Sequence, residues 1–256
     1  MIPHTRAFKR LKDEAQKVFD FALLVCYAVP NLKRTLDQLA PGQPISFTPD
    51  HFDTRPVATE KVRRNAKDYK ELLSRYIFLS SFSFFEAYFL DVLSEVIEFH
   101  GRVNLLKRHD LSRNSALASS AQVKARKKLR EYKVSANLGA YTSYGSQLAK
   151  DSFVFPSSAL ARHGLRRLFD TVDDEYIKAK DIPEWIESLF QLQLDQVNEK
   201  QVYHSYREMR NKIAHGHPDQ TSLHLKKAIE ANNFLRNLAL KLDRHILEHY
   251  LLVEAF

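Results

Sequence analysis

Seven of the fourteen residues from 76 to 89 are aromatic: Tyr76, Phe78, Phe82, Phe84, Phe85, Tyr88 and Phe89. They sit in residues 59–100, a stretch that reads as one long helix, charged at its start and strongly aromatic after that. Rings spread around a helix on all sides must be buried on several sides, so this segment is predicted to be the central helix of a bundle.

The rest of the chain supports an all-α reading. Glycine is scarce, at 6 of 256 residues, and Leu, Ala, Lys, Glu and Arg outnumber the β-branched types, which favours helix. A length of 256 residues suits one domain carrying an insertion or extension. Residues 1–56 are expected to be an N-terminal helix and a Pro-rich linker, 57–101 and 180–256 the core helices, and 102–179 an insertion. In the first part Phe8, Leu11, Ala15, Val18 and Ala22 recur at helical spacing over residues 5–39, with a break or kink expected at Pro30. Cys26 lies in an apolar run, residues 21–29, and reads as a core thiol. One cysteine forms no intrachain disulfide, so a reducing, cytoplasmic setting is expected. The run is too short to span a bilayer, and no membrane association is predicted. No repeat of 20 to 50 residues is visible.

The formal net charge is +8, and its location is informative. Residues 102–133 hold ten Lys and Arg against Asp110 and Glu131, a local net of +8 that leaves the remainder near neutral. Residues 121–132 (AQVKARKKLREY) can form a helix in which Lys124, Arg126, Lys127, Lys128 and Arg130 surround a weak stripe of Val123, Leu129 and Tyr132. Such a run is either a solvated face or an electrostatic track for RNA phosphates, which the run 141–146 could extend by base stacking. Residues 153–155 are the one place where a short strand is conceivable, and Thr171 with Asp174 and Glu175 opens a short acidic helix. Asp181 with Pro183 starts another helix, carrying Trp185, Ile186, Leu189 and Phe190 inward. Residues 222–253 form a last long helix packed through Leu225, Ile229, Leu235, Leu238, Leu242, Ile246 and Tyr250.

Chemistry concentrates in residues 203–218, YHSYREMRNKIAHGHP. Val202, Tyr206, Met209 and Ile213 make one helix face, and Gly216 followed by Pro218 ends the helix near His215. On a wheel, His204, Arg207, Asn211 and His215 lie opposite that stripe, with Arg210 on the flank. The run Arg210-Asn211-Lys212-Ile213-Ala214-His215-Gly216 resembles the signature of the HEPN superfamily: an arginine, a polar residue directly after it, and a histidine four to six residues further on. Residues 82–93 (FSFFEAYFLDVL) resemble an early helix of RiboL-PSP-like HEPN proteins, with Glu86 as the glutamate inside an aromatic run. Together the two blocks cover residues 60–100 and 180–252. The resemblance implies an all-α bundle of long antiparallel helices and a homodimer in which two motifs face each other and cleave RNA without metal. It also implies a toxin or defence effector, with a neutralising partner conceivable, and a glutamate reaching the active site at Glu86.

The residues allow that chemistry on their own terms. Metal-free RNA cleavage needs a base for the 2′-hydroxyl, an acid for the 5′-oxygen and a cation on the phosphoryl oxygens. Imidazole serves as base or acid near neutral pH, and guanidinium matches phosphate geometry. Asn211, one turn before His215, would orient the imidazole or hold a phosphate oxygen. The bland alternative is that Arg210 pairs with a glutamate and His215 merely caps its helix. Glu86 is open in the same way, as an active-site group or as half of a structural ion pair. His204 and Arg207 would line the same cleft. His217 makes an H-x-H pair with His215, but no further ligands complete a metal site, and no cofactor is expected. Nucleotide-binding glycine patterns and hydrolase nucleophile motifs are missing.

Overall fold

The computed structural model of the chain describes residues 4–40, 43, 59–99, 120–150, 178–215 and 223–251. Among them are seven α-helices and no strand. The loop residues Gly216, His217 and Pro218, the possible strand at 153–155, the acidic helix opened by Thr171 and most of the linker lie outside these residues.

Helix α1 (Arg6–Gln38) starts where Thr5 accepts a hydrogen bond from the Phe8 N–H at 3.0 Å. The N–H groups of Arg6 and Ala7, otherwise unpaired at a helix start, donate to Glu95 at 3.2 and 3.1 Å. Glu95 belongs to α2 (Thr59–Phe99). The whole start is clamped by Asp243 of α7 (Leu225–His249), which is fully buried and bonded to His4 Nδ1 at 2.8 Å and to the Thr5 N–H and hydroxyl.

Helix α2 is the predicted centre. Phe78, Phe82, Phe85 and Phe89 have no exposed surface and Tyr88 almost none, while Tyr76 alone of the seven rings is largely exposed. It packs against α1 on one side and α7 on another. Phe8 meets Tyr88, and Phe21 meets Tyr76, so α1 runs antiparallel to α2. Against α7 the order is the opposite: Ser81 bonds Asn232, and Tyr88 donates to the Ala239 carbonyl, so those two helices run parallel. Ala228, Ala231 and Ala239, all fully buried, let α7 approach closely. Ile229, expected on that packing face, is instead exposed, because these alanines take the inner positions. By length and composition α2 could cross a membrane, with a window of mean hydropathy 1.4; half of that window is buried inside the bundle, as befits a core helix.

Two expectations about α1 change. Of the break or kink expected at Pro30, the break does not occur, because the helix continues through it. The proline removes a donor to the Cys26 carbonyl, and Cys26 is exposed, so water can take that carbonyl. Cys26 is therefore no core thiol. The last buried contacts of this half of α1 are Val18 and Ala22, and beyond them Leu23, Leu24 and Tyr27 face outward.

A smaller core joins α3 (Ser120–Val134) to α4 (Leu138–Lys150), centred on Leu129 and Tyr141. Ala136, at φ 55°, makes the tight reversal between them. The run 141–146 is thus not a free stacking platform. Tyr141 is buried, and Tyr144 packs edge-on against Tyr132 with the Lys128 ammonium 4.6 Å above its ring. Lys133 lies over Phe99, tying α3 to the end of α2.

Helix α5 (Ile182–Phe190) has Pro183 in its first turn and buries Trp185, Ile186, Leu189 and Phe190, as predicted. A π-helical turn, Gln196–Gln201, then leads directly into α6 (Val202–Ala214).

Candidate active site

The entry to α6 is fixed by charge. Asp195 caps the π-helical turn, accepting from the Val197 and Asn198 N–H groups at 3.0 and 2.6 Å. Within that turn Lys200 pairs with Glu187 of α5, and Glu199 pairs with Lys241 of α7 at 2.6 Å. These pairs hold α6 from both sides just before its first residue.

The rotation of α6 is set by Tyr203. Its ring has no exposed surface and lies 6.1 and 5.9 Å from Phe82 and Phe85, while its hydroxyl donates to the Ala179 carbonyl at 2.8 Å. Tyr206, wedged between Phe78 and Phe234, and the buried Ile213 complete the packing face. The buried stripe therefore begins at Tyr203, one residue later than the expected Val202, and the inward face turns toward Arg210. A hydroxyl able to reach a carbonyl lets tyrosine occupy a position that a period count assigns to valine.

That rotation brings Arg207 and Arg210, four and seven residues after Tyr203, onto the flank facing α2. Glu86 of α2, one residue past Phe85, meets Arg210 there: Arg210 Nη2 stands 3.5 Å from Glu86 Oε2. Arg210 Nη1 also donates to Asn211 Oδ1 at 3.1 Å. Both members of the pair keep roughly a quarter of their side-chain surface, 29% for Arg210 and 26% for Glu86. The guanidinium is thus held from two sides and still open to solvent.

Glu86 is incompletely satisfied. Its Oε1 is buried with no hydrogen-bond partner among the described residues. Burial raises its pKa above the usual carboxylate value, and the nearby Arg210 charge offsets only part of that rise. The Tyr203 hydroxyl is pushed far up, first by burial and then by the Glu86 charge. Arg207 is partly buried, and its Nε likewise has no partner among the described residues. Of the residues expected on the polar face, His204, Arg207 and Asn211 are alike partly buried and His215 is exposed.

His215 follows the last residue of α6 as its C-cap, its N–H donating to the Asn211 carbonyl at 2.9 Å, with its side chain exposed. It stands one turn beyond Asn211 and about 140° around the axis from Arg210 on an ideal helix. Asn211 thus bridges the two motif residues, touching Arg210 by side chain and His215 by backbone. His204 is partly buried, its ring edge-on to Tyr203. Among the described residues no group of three or more His, Cys, Asp or Glu side chains could hold a metal ion.

The basic helix is a separate feature. Lys124, Lys127 and Lys128 are exposed and Arg130 partly so; the Arg126 side chain lies outside the described part. Among the described residues no hydrogen bond, ion pair or ring contact joins α3 to Glu86, Arg210 or His215. Its ring and cation contacts run to α4 and to the end of α2. Two participants were not singled out from the sequence as functional: Tyr203, whose signal is its spacing of seven from Arg210, and Asp243, an acid inside an apolar stripe.

Comparison with curated proteins and with solved structures gives no match. The model of the RiboL-PSP-HEPN family matches residues 57–248, a span that contains Glu86, the basic helix and the whole Arg210 to His215 motif. With most of its length inside that match, and with an all-α bundle that presents the motif at the end of a helix, the chain belongs to the RiboL-PSP-HEPN family.

Proposed function

We propose that this protein is a metal-independent endoribonuclease in which Arg210 and His215 act on RNA at the cleft of a homodimer. The supporting observation is the held but open guanidinium: Arg210 is tethered by Glu86 and Asn211, with His215 exposed one turn beyond Asn211. The 2′-oxygen attacks the adjacent phosphorus and the bond from phosphorus to the 5′-oxygen breaks. One base takes the 2′-proton and one acid protonates the departing oxygen, leaving a 2′,3′-cyclic phosphate and a 5′-hydroxyl. Arg210 stabilises charge on the phosphoryl oxygens, where a planar fork fits best. Each chain offers one His215, so two chains around a two-fold axis supply separate acid and base. Glu86, partly desolvated, orients Arg210. Lys124, Arg126, Lys127, Lys128 and Arg130 attract the RNA backbone. The biological role consistent with this activity is a cytoplasmic toxin or defence effector restrained by a neutralising partner.

A second reading has its own observations. The Arg210–Glu86 pair and the His215 C-cap are both structural roles, and a noncatalytic module that binds RNA or a protein would keep them. Purified protein incubated with total RNA in EDTA separates the two. Cleavage leaving cyclic phosphate ends, abolished in His215→Ala, is the expected result. Intact RNA with the wild-type protein would favour the binding module.

A further inference from the structure

The flank of α6 that faces α2 carries the guanidiniums of Arg207 and Arg210, and α2 brings the Glu86 carboxylate to Arg210. Arg207 and Arg210 are three residues apart, about 4.5 Å along the axis and about 60° around it, neighbours on one helix surface. Arg210 has Glu86 and Asn211 as partners. Arg207 makes no hydrogen bond or ion pair among the described residues, although it is partly buried and its Nε is shut off from solvent. The charges of Glu86, Arg207, Arg210 and, most weakly, Glu184 all act on the Tyr203 hydroxyl. A guanidinium cannot shed its charge, and it carries five donors in a fixed fork. Arg207 keeps part of its surface exposed, and an anion that reaches the exposed part of the fork meets an unpaired charge. Glu86 is already engaged with Arg210, and Glu184 of α5, the weaker acidic influence on the Tyr203 hydroxyl, forms no ion pair with Arg207 among the described residues.

We infer that Arg207 and Arg210 together hold two successive phosphates of an RNA strand, Arg210 the phosphate that reacts and Arg207 its neighbour. Each fork matches one phosphate in bidentate fashion, and spreading two forks over two phosphates avoids crowding like charges on one. The substrate is then a strand with a phosphodiester next to the scissile one, and a dinucleotide is held by only half of the site. The identity of the reacting phosphate rests on the ribonuclease reading; the two-phosphate site rests on the surroundings of Arg207.

The test uses 2′-O-methyl dinucleotide and trinucleotide, which carry one and two phosphodiesters and cannot be cleaved through a 2′-hydroxyl. Binding to the full chain is followed through the arginine Nε–H signals by NMR. The wild-type protein should bind the trinucleotide roughly ten-fold or more tightly than the dinucleotide, with the Arg207 Nε–H signal moving only for the trinucleotide. Arg207→Ala should lose that gain and leave dinucleotide binding unchanged, and Arg207→Lys, which keeps the charge without the fork, should recover only part of it. The proposal is overturned if the wild type gains nothing from the second linkage, if Arg207→Ala keeps the gain, or if it loses affinity for both ligands equally. A wild-type protein that shows the gain but leaves the cleavable RNA trinucleotide intact supports the two-phosphate site while refuting the ribonuclease reading.

Discussion

Replacing Glu86 by glutamine separates a functional carboxylate from a structural one, because the two roles predict opposite changes in stability. In the folded protein Oε1 is buried without a partner among the described residues, and Oε2 lies 3.5 Å from Arg210, beyond the range of a short charge-assisted bond. Burying a charged carboxylate oxygen without a partner costs about 1–3 kcal/mol, and a neutral amide in the same place costs less. A pair that keeps a quarter of its surface returns about 1 kcal/mol or less. Neutralising Glu86 should therefore stabilise the fold by about 1 kcal/mol, or about 2–4 °C in Tm for a chain of this size. The pH dependence follows from the raised pKa. Below the unfolded value both states are protonated and Glu86→Gln gains nothing. As pH climbs through the window between the unfolded value and the higher folded one, the native state holds the extra proton, so the wild type loses stability and the variant does not. Thermal unfolding from pH 4 to 8 measures this difference. RNA cleavage at saturating substrate should meanwhile slow by roughly 10–10² as Arg210 loses its tether. A variant less stable than wild type at pH 7, with cleavage unchanged, would show that Glu86 is simply half of a structural ion pair.

Further outcomes follow from the same contacts. Asp243→Ala strips acceptors from Thr5 and His4 in a fully buried site and should destabilise the protein by about 3 kcal/mol, measured by urea unfolding. Charge reversal of the exposed Lys124 and Lys127 should weaken RNA binding and reduce its salt slope by about 0.7 per lost phosphate contact, with chemistry on saturating RNA unchanged; an unaltered slope would make α3 a solvated face. Sedimentation at micromolar concentration should find a homodimer, and a strictly monomeric protein that still cleaves RNA would contradict the shared cleft.

Much of the helical scaffold was legible because burial follows period. The aromatic cluster around Phe82 and Phe85 belongs to the central helix, and the stripe from Leu235 to Ile246 packs as read. The motif helix was legible as well, because a glycine and a proline after His215 mark its end. Legibility failed where a side chain's polar tip decides its place. Tyr203 is buried because its hydroxyl finds the Ala179 carbonyl, a partner 24 residues away that no local pattern reveals. Cys26 and its apolar neighbours failed for another reason: hydrophobicity marks a residue that can be buried, and no local pattern says which stretch of a helix its neighbours cover. The pairing of Glu86 with Arg210 was foreseen as a need, and the structure supplies the partner from α6.

The central claim is tested most directly by single-turnover cleavage of a defined RNA in EDTA with wild type, Arg210→Ala and His215→Ala, each first shown to be folded and in the wild-type oligomeric state. Arg210 is partly exposed and His215 exposed, so neither substitution should unfold the chain. Each is predicted to slow cleavage on the order of 10² or more, with the double variant little worse than either single one, as for residues acting as a unit. Wild-type cleavage by a folded His215→Ala protein would contradict the account.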